Sequence, residues 1–267
     1  MRLRLLRGAD ISALRCADAL VTSANAGLVG NANPTFSRFS GRDNVDGAIH
    51  RAAGPALQDA CAQLPAAEGS ETPCPVGQAV VTPAFDLHAA VLIHAVAPDG
   101  AYAGGLQGRR IWSDAQRYGC EEGRGIYLAE AQPAGEAHMA LAKTYAAVVQ
   151  CAELQGVHSL AMPAIGCGIL GFRQERVAKL ALGVIVSHVL RRGGASLGRV
   201  DVALPSEEAF DAWSAAAGQL VGQPQSAGSM VQVYDLGQAV DDRKERAQEF
   251  DRFRTQALER ALDKYRV

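Results

Sequence analysis

The chain has 267 residues, 48% of them apolar, and a formal net charge of −2. That size and apolar share suit one sizeable core with an appendage, while the balanced charge argues against extended contact with nucleic acid. No apolar run approaches the roughly 18 residues of a membrane span, and the start (MRLRLLRGAD) turns polar too soon for a signal peptide. Six cysteines, at 16, 61, 74, 120, 151 and 167, lack paired metal-ligand spacing. They are expected to be reduced core thiols, which fits a cytoplasmic protein.

Taken in order, residues 2–6 (RLRLL) read as a first strand and 19–23 (ALVTS) as a second. A polar segment, 30–44, follows and is longer than an ordinary connection. A helix is expected over 45–63, with Ile49, Ala52 or Ala53, Leu57 and Ala60 or Cys61 inward and Gly54-Pro55 able to kink or divide it. Strands at 76–83 and 91–96 come next, then a glycine-rich excursion over 98–134 with little periodicity. A helix over 135–155 should turn Met139, Ala142, Tyr145, Val148 or Val149 and Ala152 inward. A strand at 157–162, a glycine-rich turn and a helix from Gln174 lead to a last strand at 199–204 and a short helix bearing Phe210 and Trp213. The alternation predicts a three-layer α/β/α domain over 1–220 with a mixed, mostly parallel central sheet. Residues 221–267 read as a linker, a possible edge strand at 230–234, and a charged helix over 240–265 packed back on the core.

Chemistry gathers at strand exits, where open α/β sheets bind ligands. Asp10 follows the first strand, Asn25 the second, and Asp46 and His50 share a face of the next helix at i and i+4. The turn carrying Gly166, Gly168 and Gly171 has two readings on spacing alone. It is an anion cradle made of backbone N–H groups and a helix start, or only a tight turn between strand and helix. His50 stands as a structural histidine or a base, and Asp10 as a binding group or a local turn cap.

Four ordered segments carry a resemblance to the macrodomains. They are 7–11 (RGADI), 18–25 (DALVTSAN), 45–54 (VDGAIHRAAG) and 163–172 (PAIGCGILGF). The resemblance spans about residues 1–215 and implies a fold that binds ADP-ribose, as ligand or product, with no cofactor and no metal required. It implies that Asp10 and the Ile11 backbone meet the adenine, that Asn25 bonds the distal ribose, and that Asp46 lies near that ribose and its phosphate. It further implies that the loop of Gly166, Cys167, Gly168, Ile169, Leu170 and Gly171 holds the diphosphate, with Phe172 packed on the distal ribose. In hydrolytic members similar to this chain, an acid at the Asp46 position orients or activates water, so Asp46 and Asn25 are the expected catalytic residues. The implied partners are ADP-ribosylated proteins or small ADP-ribose conjugates, and a monomer suffices. The chain departs from the family pattern at Thr22, where the family has asparagine, and at Gly41-Arg42-Asp43-Asn44, where it has a run of glycines. Arg42 is therefore an alternative phosphate-binding group.

Overall fold

The structure, a computed structural model, describes residues 1–30, 44–100, 134–168, 170–191 and 196–236. Both expected insertions and the expected C-terminal helix fall largely or wholly outside them. The strands are β1 (Arg2–Arg7), β2 (Ala19–Ala24), β3 (Ala79–Pro83), β4 (Val91–Val96), β5 (Ser159–Pro163), β6 (Arg199–Leu204), β7 (Ser226–Ala227) and β8 (Val231–Asp235). The helices are α1 (Val45–Ala53), α2 (Pro55–Ala62), α3 (Ala134–Leu154), α4 (Gln174–Arg191) and α5 (Glu207–Leu220). The strands form one sheet in the order β3-β4-β2-β5-β6-β1-β8-β7. The pairs β4-β2, β2-β5, β5-β6 and β6-β1 are parallel, and β3, β7 and β8 pair antiparallel at the margins.

Alternation along the central strands sorts side chains into two layers, as the pleat requires. Ala19, Val21, Ile93, Leu160, Met162, Val200 and Val202 meet α3, α4 and α5, where Tyr145, Ile185, Phe210 and Trp213 are buried. Leu20, Leu92, Ala161 and Ala203 face the opposite side, under Ile49 and Ala53 of α1 and Leu57 and Cys61 of α2. The expected mixed three-layer architecture is therefore the observed one. The inward face predicted for α1 and α2 also holds, and Gly54-Pro55 does divide them, with Pro55 opening α2.

Two expectations are corrected. Met139 is 62% exposed, and α3 instead buries Ala137, Leu141, Tyr145, Val148, Val149 and Ala152. That helix is apolar on more than one side, so its pattern fixes the face poorly. The sheet also continues past residue 220: β8 pairs along β1 from Arg2↔Asp235 to Leu6↔Val231, and β7 folds back on β8. The expected edge strand is thus a hairpin that covers the open side of β1.

Two carboxylates tie the central strands together. Arg4 grips the fully buried Asp201 with two bonds, Nε to Oδ1 at 2.7 Å and Nη2 to Oδ2 at 2.6 Å. Asp18 ties β2 to β5, its Oδ2 accepting from the N–H groups of His158 (3.0 Å) and Ser159 (2.8 Å). These contacts hold the parallel strands in register, so their C-terminal ends open on one edge.

Candidate functional site

β2 and β5 are adjacent and parallel, and the segments leaving them carry most of the expected site residues. Asn44 caps α1 by accepting from the Gly47 N–H at 2.7 Å, which places Asp46 in the first turn. Asp46 is 3% exposed, and its Oδ1 accepts a 2.8 Å hydrogen bond from the Thr22 hydroxyl near the end of β2. Two segments far apart in sequence are pinned together there, one from the sheet and one from the helix layer. His50 follows one turn on, its Nε2 3.8 Å from Asp46 Oδ1. Burial depresses the tendency of His50 to protonate, so a neutral imidazole faces the carboxylate.

Asn25 shapes the turn that follows β2. Its Nδ2 donates to the Val29 carbonyl at 2.6 Å, and its Oδ1 accepts from the Val29 N–H at 3.2 Å. Leu28 sits in that turn with φ of 54°, a left-handed conformation unusual for leucine. Gly30, two residues on, donates its N–H to the Gln58 side chain of α2. Asp10 is exposed and caps the 3-10 turn Ile11–Ala13, accepting from the Ser12 N–H at 2.9 Å and the Ser12 hydroxyl at 2.8 Å. Ile11 behind it is buried.

The glycine bend after β5 is built by its own backbone. Gly166 and Gly171 have φ of +90° and +74°, where a side chain would be strained. The Cys167 N–H donates to Ala164, the Gly171 N–H to Gly168 and the Phe172 N–H to Gly166. The Leu170 carbonyl accepts from Gly100, just beyond β4, at 2.7 Å. From α3 the buried Tyr145 hydroxyl donates to the Ile165 carbonyl at 3.1 Å. Among the described residues, the N–H groups of Gly166, Gly168 and Leu170 are used by none of these bonds. A bend that leaves such backbone donors uncommitted can receive an anion.

A macro-domain family model matches residues 32–108 and 128–181. The chain is 34% identical over 182 residues, 68% of its length, to an O-acetyl-ADP-ribose deacetylase of Klebsiella pneumoniae, of which the match covers 78%.

The chain belongs to the macrodomain family.

A Salmonella typhimurium O-acetyl-ADP-ribose deacetylase is likewise 34% identical, over 71% of this chain and 80% of that one. Among solved structures, an Oceanobacillus iheyensis macrodomain with MES bound superposes with a TM-score of 0.61 at 23% identity, covering 82% of this chain and 92% of that one. A Trypanosoma brucei macrodomain in complex with ADP-ribose gives 0.55 at 23% identity, covering 79% and 67%. These last two likenesses concern the fold.

Within this macrodomain, the residues expected from sequence arrive unevenly. Asp46 and Thr22 meet, and Gly166, Gly168, Leu170 and Gly171 form one bend. Ile169, Arg42 and Asp43 lie outside the described residues. Of the expected diphosphate N–H donors, Gly171 donates within the bend to Gly168, as the neighbouring Cys167 N–H does to Ala164. Phe172, expected against the distal ribose, packs inward. It is 4% exposed, and its ring stands edge-on to His138 of α3 with centroids 5.4 Å apart, as a core group. Asn25 is occupied at both ends of its amide by Val29. A surface cavity of about 640 Å³ lies between α3 and α4, lined by Gly135, His138, Arg176, Lys179 and Leu180. It adjoins the bend through His138 and contains none of the expected site residues.

The fold also joins residues that spacing could not pair. His50, Cys61 and His94 bring three side-chain ligand atoms within 4.8 Å of one another. Only the packing of α1 and α2 over β4 brings the three together, and no sequence offset signals it. Tyr145 was visible as an inward residue of its helix, but its bond to the bend was not.

Proposed function

We propose that this macrodomain binds ADP-ribose conjugates and hydrolyses the bond to their distal ribose. The substrates are mono-ADP-ribosylated protein side chains or a small ester such as O-acetyl-ADP-ribose, the compound for which two of its relatives are named. The observation that carries the reading is the Asp46 carboxylate, fixed by Thr22 at the start of α1 on the edge where the glycine bend also emerges. The Gly168 and Leu170 N–H groups hold the diphosphate, and the start of α4 adds its positive end. Asp46 then orients a water toward the reacting carbon, drawing on geometry that the bound diphosphate sets. Where the bond broken is glycosidic, positive charge grows on the ribose as it departs, and a nearby carboxylate stabilises it.

A reader module that binds without turnover is the second reading. Gly41-Arg42-Asp43-Asn44 in place of the family's glycines favours it, since catalysis tolerates less misplacement than binding does. One comparison separates the two. Wild type and Asp46→Ala are mixed with O-acetyl-ADP-ribose and with peptides modified through Glu, Ser or Arg, and both binding and product are measured. Hydrolysis predicts turnover by wild type, lost in Asp46→Ala, with ADP-ribose affinity largely retained. Equal turnover by the two proteins refutes Asp46 as the catalytic acid. Failure of wild type to bind ADP-ribose at millimolar concentration refutes both readings.

A further inference from the structure

The helix layer formed by α1 and α2 holds a polar group that the hydrolytic reading leaves unused. His50 on α1, Cys61 on α2 and His94 on β4 each contribute one ligand atom to a cluster no wider than 4.8 Å. Cys61 is 2% exposed and His94 fully buried, and the His50 side chain is 8% exposed. Two ring nitrogens here, His50 Nε2 and His94 Nδ1, are buried without a hydrogen-bond partner. A buried polar atom left without a partner costs free energy, and native proteins rarely tolerate two side by side. His94 Nε2 lies 2.9 Å from the Thr82 hydroxyl and 3.9 Å from Cys61 Sγ, and His50 Nε2 lies 3.8 Å from Asp46 Oδ1.

We propose that His50, Cys61 and His94 form a buried site for a thiophilic divalent cation of the zinc class, with the Asp46 carboxylate or a water completing four ligands. Two imidazoles and a thiolate are the donor set that such a cation prefers. Bonds of about 2.0–2.3 Å in a tetrahedron put ligand atoms roughly 3.3–3.8 Å apart. The Cys61–His94 pair at 3.9 Å is already near that spacing, and the cluster closes by side-chain movement of about 1 Å. Burial favours the neutral imidazole in both histidines, the form that ligates, with His94 pushed down to about 3 by burial and by neighbouring His50. The Cys61 thiol is pushed up to about 11 by burial and by Asp46, so uptake displaces its proton to solvent. Thiolate and carboxylate together then neutralise the two positive charges of the ion. His94 Nε2, the nitrogen that faces Cys61, is also the one beside the Thr82 hydroxyl, so ligation through it replaces that hydrogen bond.

The site borders the proposed hydrolytic acid through Asp46, but its test reads metal uptake and not turnover. The full chain is stripped with a chelator, dialysed and titrated with Co²⁺ while its absorbance is followed. Saturation at about one equivalent, with a thiolate charge-transfer band and visible bands of tetrahedral intensity, is the expected result. Zn²⁺ should then erase the spectrum. Cys61→Ser, checked for fold by circular dichroism, should lose the charge-transfer band. Should that variant not fold, His50→Gln is used, with an expected loss of affinity of about 10–100-fold. No uptake by wild type, a charge-transfer band retained in Cys61→Ser, or an unchanged titration in His50→Gln would overturn the proposal.

Discussion

Thr22→Val tests how the acid is held. Valine matches threonine in shape and removes the hydroxyl that donates to Asp46 Oδ1 at 2.8 Å. Thr22 is fully buried and Asp46 only 3% exposed, so bulk water does not replace the lost donor. A hydrogen bond to a charged group contributes about 1.5–3 kcal/mol. For a domain of this size each kcal/mol moves Tm by roughly 2–4 °C, so Thr22→Val should melt about 3–12 °C below wild type. On the hydrolytic reading it should also turn over more slowly. A carboxylate freed to rotate misplaces its water, and a misplacement of about 1 Å costs on the order of 100-fold. The assays are differential scanning calorimetry and chromatographic release of product, with Thr22→Ser expected to recover most of both losses. A Tm within about 1 °C of wild type, less than about half a kcal/mol on the same scale, would refute the claim that this bond anchors the acid.

Three further outcomes are expected. Gly166→Ala should lose about 1–3 kcal/mol by chemical denaturation, because its φ is +90° and an added Cβ would lie 3.1 Å from the Phe172 ring and 3.2 Å from Leu141; ADP-ribose affinity should fall with it. Arg4→Leu removes the two-pronged partner of the buried Asp201 but leaves Arg199, whose Nε lies 3.3 Å from Asp201 Oδ2, and should cost about 1.5–3 kcal/mol in urea unfolding. Glu153 provides the pH dependence. Burial pushes its carboxyl up, but bonds from His188, from the Ser196 N–H and hydroxyl and from the Leu197 N–H outweigh this and hold it below the ordinary range. The unfolded chain therefore binds the proton more readily than the folded one, so this stabilisation is present above the ordinary glutamate range and fades as pH falls through the lowered folded value. Glu153→Gln should flatten that part of the stability profile, and an unchanged acid limb would refute the assignment.

The layer order was legible because 3.6-residue and 2-residue periods alternate cleanly along the chain. Ile49 and Leu57 could be placed inward from spacing, with Ala53 and Cys61 each one of two neighbouring candidates. The same spacing places Met139 inward, whereas it lies outside, because alanines and valines surround α3 on several sides. Asp46 was legible from its position at a helix start; its bond to Thr22 was not, since a threonine in a strand carries no mark of what its hydroxyl meets. The bend was recognisable by its glycines. Which of its N–H groups remain available depends on backbone angles, and residue types do not specify them at Cys167. The meeting of His50, Cys61 and His94, and of Tyr145 with Ile165, depends on tertiary packing alone.

The two sides of the sheet differ in cohesion. Trp213, Phe210 and Tyr145 all lock one of them, while the other, among the described residues, is roofed by helices of nine and eight residues, seated on Ile49, Leu57 and Cys61. Amide exchange follows the cheapest opening available to a segment. The short pair should therefore lift and reseat many times for each excursion of the aromatic side. Asp46 rides on the part that breathes, and the glycine bend is moored by Tyr145 to the part that stays shut. Traffic past the acid can pass through such fluctuations without unmooring the bend.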